Sequence, residues 1–113
     1  MTDRTFARGA VLKGPDLLGP HEHRPYVCLS TDDPPFRVEE AVLTVVTTTR
    51  RSAAIPLGPT AFTNGRLPRK SYVDPWVLVT IKHADMQGVE GQLTEDTVDK
   101  IAREAAIHIG ALA

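Results

Sequence analysis

Residues 41–49 read AVLTVVTTT, with seven β-branched side chains in nine positions. Such side chains are stiff at χ1 and fit a pleated surface, so this run specifies a strand. The other apolar runs are short and end in turn residues. They are residues 6–12, stopped by Lys13-Gly14-Pro15; residues 25–30, whose opening proline suits the first position of a strand; and residues 53–57. A further β-rich run covers 71–81, where Pro75 demands a bulge or an edge. Between them fall a loop over 14–24, a turn at 31–35 and a long loop over 58–70 with Asn64-Gly65 at its tip. The period changes only at the end of the chain. Thr94 is placed to cap a helix with Glu95 and Asp96 in its first turn. Val98, Ile101, Ala102, Ala105 and Ile109 then form one apolar stripe that Gly110 closes. Short strands followed by one amphipathic helix predict a mainly β fold, a small barrel or curled sheet with the helix packed on it.

The length of 113 residues suits a single domain over 1–113. A chain this long buries roughly two-thirds of its unfolded surface, enough for a core without staples. Aromatic residues are few (three Phe, two Tyr, one Trp), so Ile, Leu and Val supply most of the packing. Cys28 is the lone cysteine, which excludes an internal disulfide and thiolate zinc sites and fits a reducing cytosol. No apolar run approaches the ~20 residues of a membrane span, and MTDRTFARG carries no signal-peptide core. These features predict a soluble, cytoplasmic protein with no membrane partner.

The net charge of −1 conceals a segregation. No Asp or Glu occurs from residue 41 to residue 73, a stretch that carries Arg50, Arg51, Arg66, Arg69 and Lys70. The rest of the chain holds 8 basic and 14 acidic residues, so the middle is +5 against −6 elsewhere. A polyanionic partner therefore stays open despite the whole-chain balance, beside the simpler reading of a solvated loop face.

Three constellations can carry chemistry. Arg24, between a polar loop and the strand at Pro25, offers a donor fork suited to phosphate or carboxylate. Taken alone, an ordinary surface arginine is the simpler reading. Thr47-Thr48-Thr49, followed by Arg50-Arg51, sets hydroxyls beside cations at a strand end, although β-propensity alone accounts for the threonines. His21-Glu22-His23 can move protons near neutral pH. Two imidazoles and one carboxylate fall short of a metal-ligand set, so no metal and no cofactor is expected. Nucleotide-loop, serine-hydrolase and zincin motifs are missing from the sequence.

In order along the chain, these segments resemble the MazF/PemK (Kid-like) family of toxin endoribonucleases. RGAVLKG at 8–14 is similar to that family's first strand. GPHEHRPYVCLS at 19–30 resembles its signature of a glycine, a glutamate, then Arg-Pro leading an apolar strand into Ser. AVLTVVTTT looks like the strand that ends in the family's functional threonine, which falls on Thr47. GRLPRKSYV at 65–73, Thr80-Ile81 and GQLTEDTVDKIAREA at 91–105 look like its later landmarks. Ala10 stands where the family usually has Asp, the loop before Arg24 is shorter, and Val77 and Val79 occupy positions where a Gln and an Arg often precede Thr-Ile.

The resemblance implies a small SH3-like barrel, usually a homodimer, that acts as the toxin of a type II toxin–antitoxin pair. It also implies metal-independent cleavage of single-stranded RNA, such as mRNA, by attack of a ribose 2′-hydroxyl on the adjacent phosphate. Arg24 would then stabilise the crowded phosphorus, Thr47 would hold an oxygen, and Glu22 or His23 would take the proton. Arg50, Arg51, Arg66, Arg69 and Lys70 would track the RNA backbone, with Phe62 or Trp76 stacking a base. For Trp76, barrel core or dimer interface is the simpler reading. The cationic surface would suit a cognate acidic antitoxin as partner. The departures keep two other readings open, a barrel that binds nucleic acid without cleaving it and a toxin of the same fold that poisons a protein such as DNA gyrase.

Overall fold

The structure, a computed structural model, describes residues 5–33 and 39–113. Seven strands form one antiparallel sheet, β1 (Ala10–Pro15), β2 (His23–Cys28), β3 (Glu40–Thr47), β4 (Ile55–Pro56), β5 (Phe62–Gly65), β6 (Tyr72–Lys82) and β7 (Gly88–Leu93). One helix, α1 (Glu95–His108), closes the chain. The spatial order is β4-β6-β3-β2-β1-β7-β5. The fold is thus mainly β with a C-terminal helix, as the sequence predicts.

Successive strand residues serve opposite faces of the sheet. Val11, Val27, Val46, Val73, Ile55 and Leu93 pack together on one face, where Val98 and Ile101 of α1 cover them. Leu12, Tyr26, Cys28, Leu43, Val45, Ile81 and Met86 form a second cluster on the other. Because both faces are covered, β3 reads as a continuous apolar run rather than an alternation. Ladder shifts at Val11/Leu12, Thr44/Val45 and between Phe62 and Asn64 bend the sheet, which curls around its core. The bulge expected at Pro75 is present. Thr44 faces Leu78 while Val45 faces Asp74, so residues 75–77 are looped out of register, and the Thr44 hydroxyl donates to the Asp74 carbonyl at 2.9 Å.

Several boundaries differ from expectation. β1 runs through Lys13-Gly14-Pro15 instead of stopping before them, because Gly14 and Pro15 pair with Arg24 and His23. β2 starts at His23, and Pro25 is tolerated inside it because the ladder to β3 begins only at Tyr26. Thr48 and Thr49 lie beyond β3, and the strand expected over 53–57 contracts to Ile55–Pro56. Asn64-Gly65 is no loop tip but part of β5, paired with Gln92 and Gly91 of β7, a strand the sequence pattern did not announce. Gly65 has φ +74°, and a Cβ there would lie 2.4 Å from the Glu90 carbonyl oxygen, so only glycine fits the approach. The 31–35 turn falls partly outside the described residues. Thr94 caps α1 by accepting the Thr97 N–H at 3.1 Å, and Val98, Ile101 and Ala105 are buried as the stripe requires. Ala102 of the same stripe is half-buried, and Ile109 is 65% exposed, since it lies past the last helical turn. No helix among the described residues is long and apolar enough to cross a membrane.

Candidate active site

At one end of the sheet, the β1–β2 loop, the end of β3 and the entry to β6 enclose a cleft of about 570 Å³. Arg24, His23, Thr47 and Arg69 line it, together with His21 and Ser71. Arg24 sits on β2, and its guanidinium crosses to β3, where Nη2 donates to the Val46 carbonyl at 2.9 Å. Its Nη1 lies 3.5 Å from Asp16 Oδ1, and its side chain is 20% exposed. Nε is buried and has no protein partner among the described residues. A guanidinium held in place on the cleft wall and still partly exposed presents a fixed cation to an anion.

Asp16 holds the other wall. Its side chain has no exposed surface. Oδ1 accepts the Leu18 and Gly19 amides at 3.0 Å each, and Oδ2 accepts the His21 amide at 3.2 Å. Burial raises the pKa of this carboxyl, but the Leu18 amide, the Arg24 charge and the His21 and Gly19 amides together outweigh it, so the group lies below its ordinary value. Tyr26 secures the same loop, donating its hydroxyl to the Pro15 carbonyl at 2.6 Å and accepting the Leu17 amide at 3.3 Å. Burial pushes its phenol up, which keeps the donor protonated.

Thr47, the last residue of β3, accepts the Thr49 amide on Oγ1 at 3.1 Å. A hydroxyl used as acceptor still has its proton to give, so Thr47 can donate to an oxygen in the cleft. Among the described residues no group of three or more His, Cys, Asp or Glu side chains is placed to hold a metal.

Solved structures share this architecture over almost the whole chain. A mycobacterial endoribonuclease in complex with its cognate antitoxin matches with a TM-score of 0.75 at 23% identity, covering 94% of this chain and 96% of that one. A chain of the MazE–MazF complex from Deinococcus radiodurans gives 0.73 at 10% identity over 98% and 100%. The Mycobacterium tuberculosis toxin MazF-mt6 gives 0.68 at 17% identity over 92% and 98%. The fold is that of the MazF toxins. No family model and no curated protein matches the chain.

On this MazF-type sheet the expected site residues separate. Arg24, Thr47 and His23 share the cleft, but Glu22 is exposed and does not line it. Of the five cations only Arg69 reaches the cleft. Arg50, Arg51 and Lys70 line a neighbouring depression, and Arg66 lies elsewhere beside Leu67, Pro68 and Glu90. Arg51 is paired at 2.7 Å with Asp74, whose side chain is 7% exposed. Neither aromatic residue named for base stacking lines the cleft. Phe62 packs against the core, and the Trp76 ring meets His108 of α1 edge-on at 5.1 Å. Asp16 and Ser71 are cleft residues that the sequence reading did not single out. Asp followed two and three residues later by the amides it accepts is an Asx turn, and that local signal was available at Asp16.

Proposed function

We propose that this protein is an endoribonuclease toxin of a toxin–antitoxin pair, cleaving single-stranded RNA without a metal and silenced by an acidic antitoxin. The observation that carries the reading is Arg24, pinned to the Val46 carbonyl on the wall of a cleft that also holds Thr47 and two imidazoles. The relatives in fold include an endoribonuclease bound to its cognate antitoxin, which supports the same class.

In this reading the ribose 2′-oxygen attacks phosphorus, the bond to the 5′-oxygen breaks, and a cyclic phosphate and a 5′-hydroxyl result. Arg24 donates to the non-bridging oxygens as charge builds on them, and Thr47 donates to a second oxygen. His23 takes the 2′-hydroxyl proton in preference to Glu22, which does not line the cleft. His21 is then available to protonate the leaving oxygen. The protein acts as a homodimer in the cytoplasm, and light scattering showing a monomer at high micromolar concentration would refute the dimer.

The test is incubation with long RNA in excess EDTA. Fragments bearing cyclic phosphate and 5′-hydroxyl ends are expected, and Arg24→Ala loses roughly 10²–10³-fold in rate. Arg24→Lys recovers little, because an ammonium cannot reproduce the fork. Intact RNA with wild-type protein sinks the reading, and binding without cleavage would indicate a lapsed enzyme.

A further inference from the structure

The segment leading into β6 serves two hollows. Arg69 and Ser71 line the Arg24 cleft, whereas Lys70 and Tyr72 line a second depression of about 320 Å³. The chain at the end of β3 passes from one hollow to the other. Thr47, Thr48 and Thr49 border the cleft, and Arg50, Arg51 and Ser52 border the depression. The two hollows are therefore lined by adjoining residues of the same two segments, 47–52 and 69–72.

The chemistry of the second hollow is that of a nucleotide's complement. Arg50 and Lys70 are exposed and make no ion pair among the described residues, while Arg51 is already held by Asp74. Tyr72, half-buried between Pro56 of β4 and Thr47 of β3 in the ladder, supplies an aromatic side chain beside the cations. Phe62 and Trp76 are committed elsewhere. Exposed cations beside an aromatic ring suit a phosphate joined to a flat base, the combination by which single strands are bound without sequence preference.

We propose that the hollow formed by Arg50, Lys70 and Tyr72 is a flanking-nucleotide subsite for single-stranded RNA, with the phosphate on the two cations and the base on the Tyr72 ring. The inference rests on the endoribonuclease reading and adds to it where the substrate continues beyond the cleft.

The experiment measures anisotropy of fluorescein-labelled 2′-O-methyl RNA, which lacks the attacking hydroxyl, at lengths of about 4 and about 12 nucleotides. Wild-type protein is expected to bind the longer strand more tightly. Tyr72→Leu should lose roughly ten- to hundredfold of that gain, Tyr72→Phe should keep it, and the double variant Arg50→Ala/Lys70→Ala should lose it with a flatter salt dependence. The double variant alters only exposed side chains, so it reports even if Tyr72→Leu fails to fold. Variants that keep the full wild-type gain overturn the subsite while cleavage of unmodified RNA by wild-type protein leaves the parent reading standing. Loss only in the double variant, with Tyr72→Leu folded and unaffected, overturns the nucleotide subsite in favour of a bare phosphate contact. Loss of affinity for a poly-glutamate peptide but not for RNA overturns it in favour of an acidic partner.

Discussion

Asp16 Oδ1 lies 3.5 Å from Arg24 Nη1 while the same oxygen accepts the Leu18 and Gly19 amides, so one carboxylate fixes both the β1–β2 loop and the cation that faces it. Its lowered pKa gives this arrangement a pH sign. A carboxyl whose folded value lies below its unfolded one stabilises fully above the unfolded value, about 3.9, and loses that contribution as pH falls through the folded value. Asp16→Asn removes the charge and the second acceptor oxygen. The variant should melt below wild type at pH 7, and the gap should narrow below about pH 4. A gap that is constant with pH would mean that the ionised carboxylate contributes nothing.

Cys28 should be unreactive in the folded protein. It lies on β2 with no exposed surface, and burial pushes its thiol up more than the Ser30 hydrogen bonds and the Arg8 charge pull it down. The thiolate is the reactive form, so alkylation by iodoacetamide should be far slower in native buffer than in urea. Comparable rates in the two conditions would show that β2 is not packed as described.

The elements legible in the sequence are those whose local chemistry and tertiary setting agree. The β-branched run gave β3, and the Thr94 cap with the Val98–Ile101–Ala105 spacing gave α1 almost to the residue. β5 and β7 were not legible, because FTNG and GVEGQL carry turn residues and become strands only by pairing with each other and with β1. Arg24, Thr47 and His23 meet because antiparallel pairing brings the start of β2 beside the end of β3, a relation that motif order anticipates. The grouping of the cations was not legible. It depends on which way each side chain points along two short segments that lie mostly outside the strands, where no period fixes the direction.

The Arg51–Asp74 pair should be structural. Asp74 is buried beside the Pro75 bulge, and its Oδ1 has no protein partner among the described residues, so Arg51 is the charge that compensates it. Removing Arg51 leaves that carboxylate without a counter-charge, at a cost of about 1–3 kcal/mol. Arg51→Ala should therefore lower stability in urea titrations, and Arg51→Ala/Asp74→Asn should recover part of the loss. An Arg51→Ala protein as stable as wild type would return Arg51 to the exposed cations.

Arg66 and Arg69 are three residues apart and belong to the same acid-free stretch, yet only Arg69 borders the Arg24 cleft. Each phosphate neutralised on a single strand contributes about −0.7 to the log–log dependence of affinity on salt. Arg69→Ala should therefore flatten the slope for RNA by about that amount. Arg66→Ala, a change in a separate hollow beside Glu90, should leave it unaltered. Both side chains are exposed, so neither substitution should disturb the fold, and titrations at several salt concentrations compare them directly. If the two variants flatten the slope equally, RNA senses the stretch as a diffuse positive field and the cleft boundary has no bearing on binding. If only Arg69→Ala does, a phosphate of the RNA is neutralised at the cleft by a residue that charge counting alone could not separate from its neighbour.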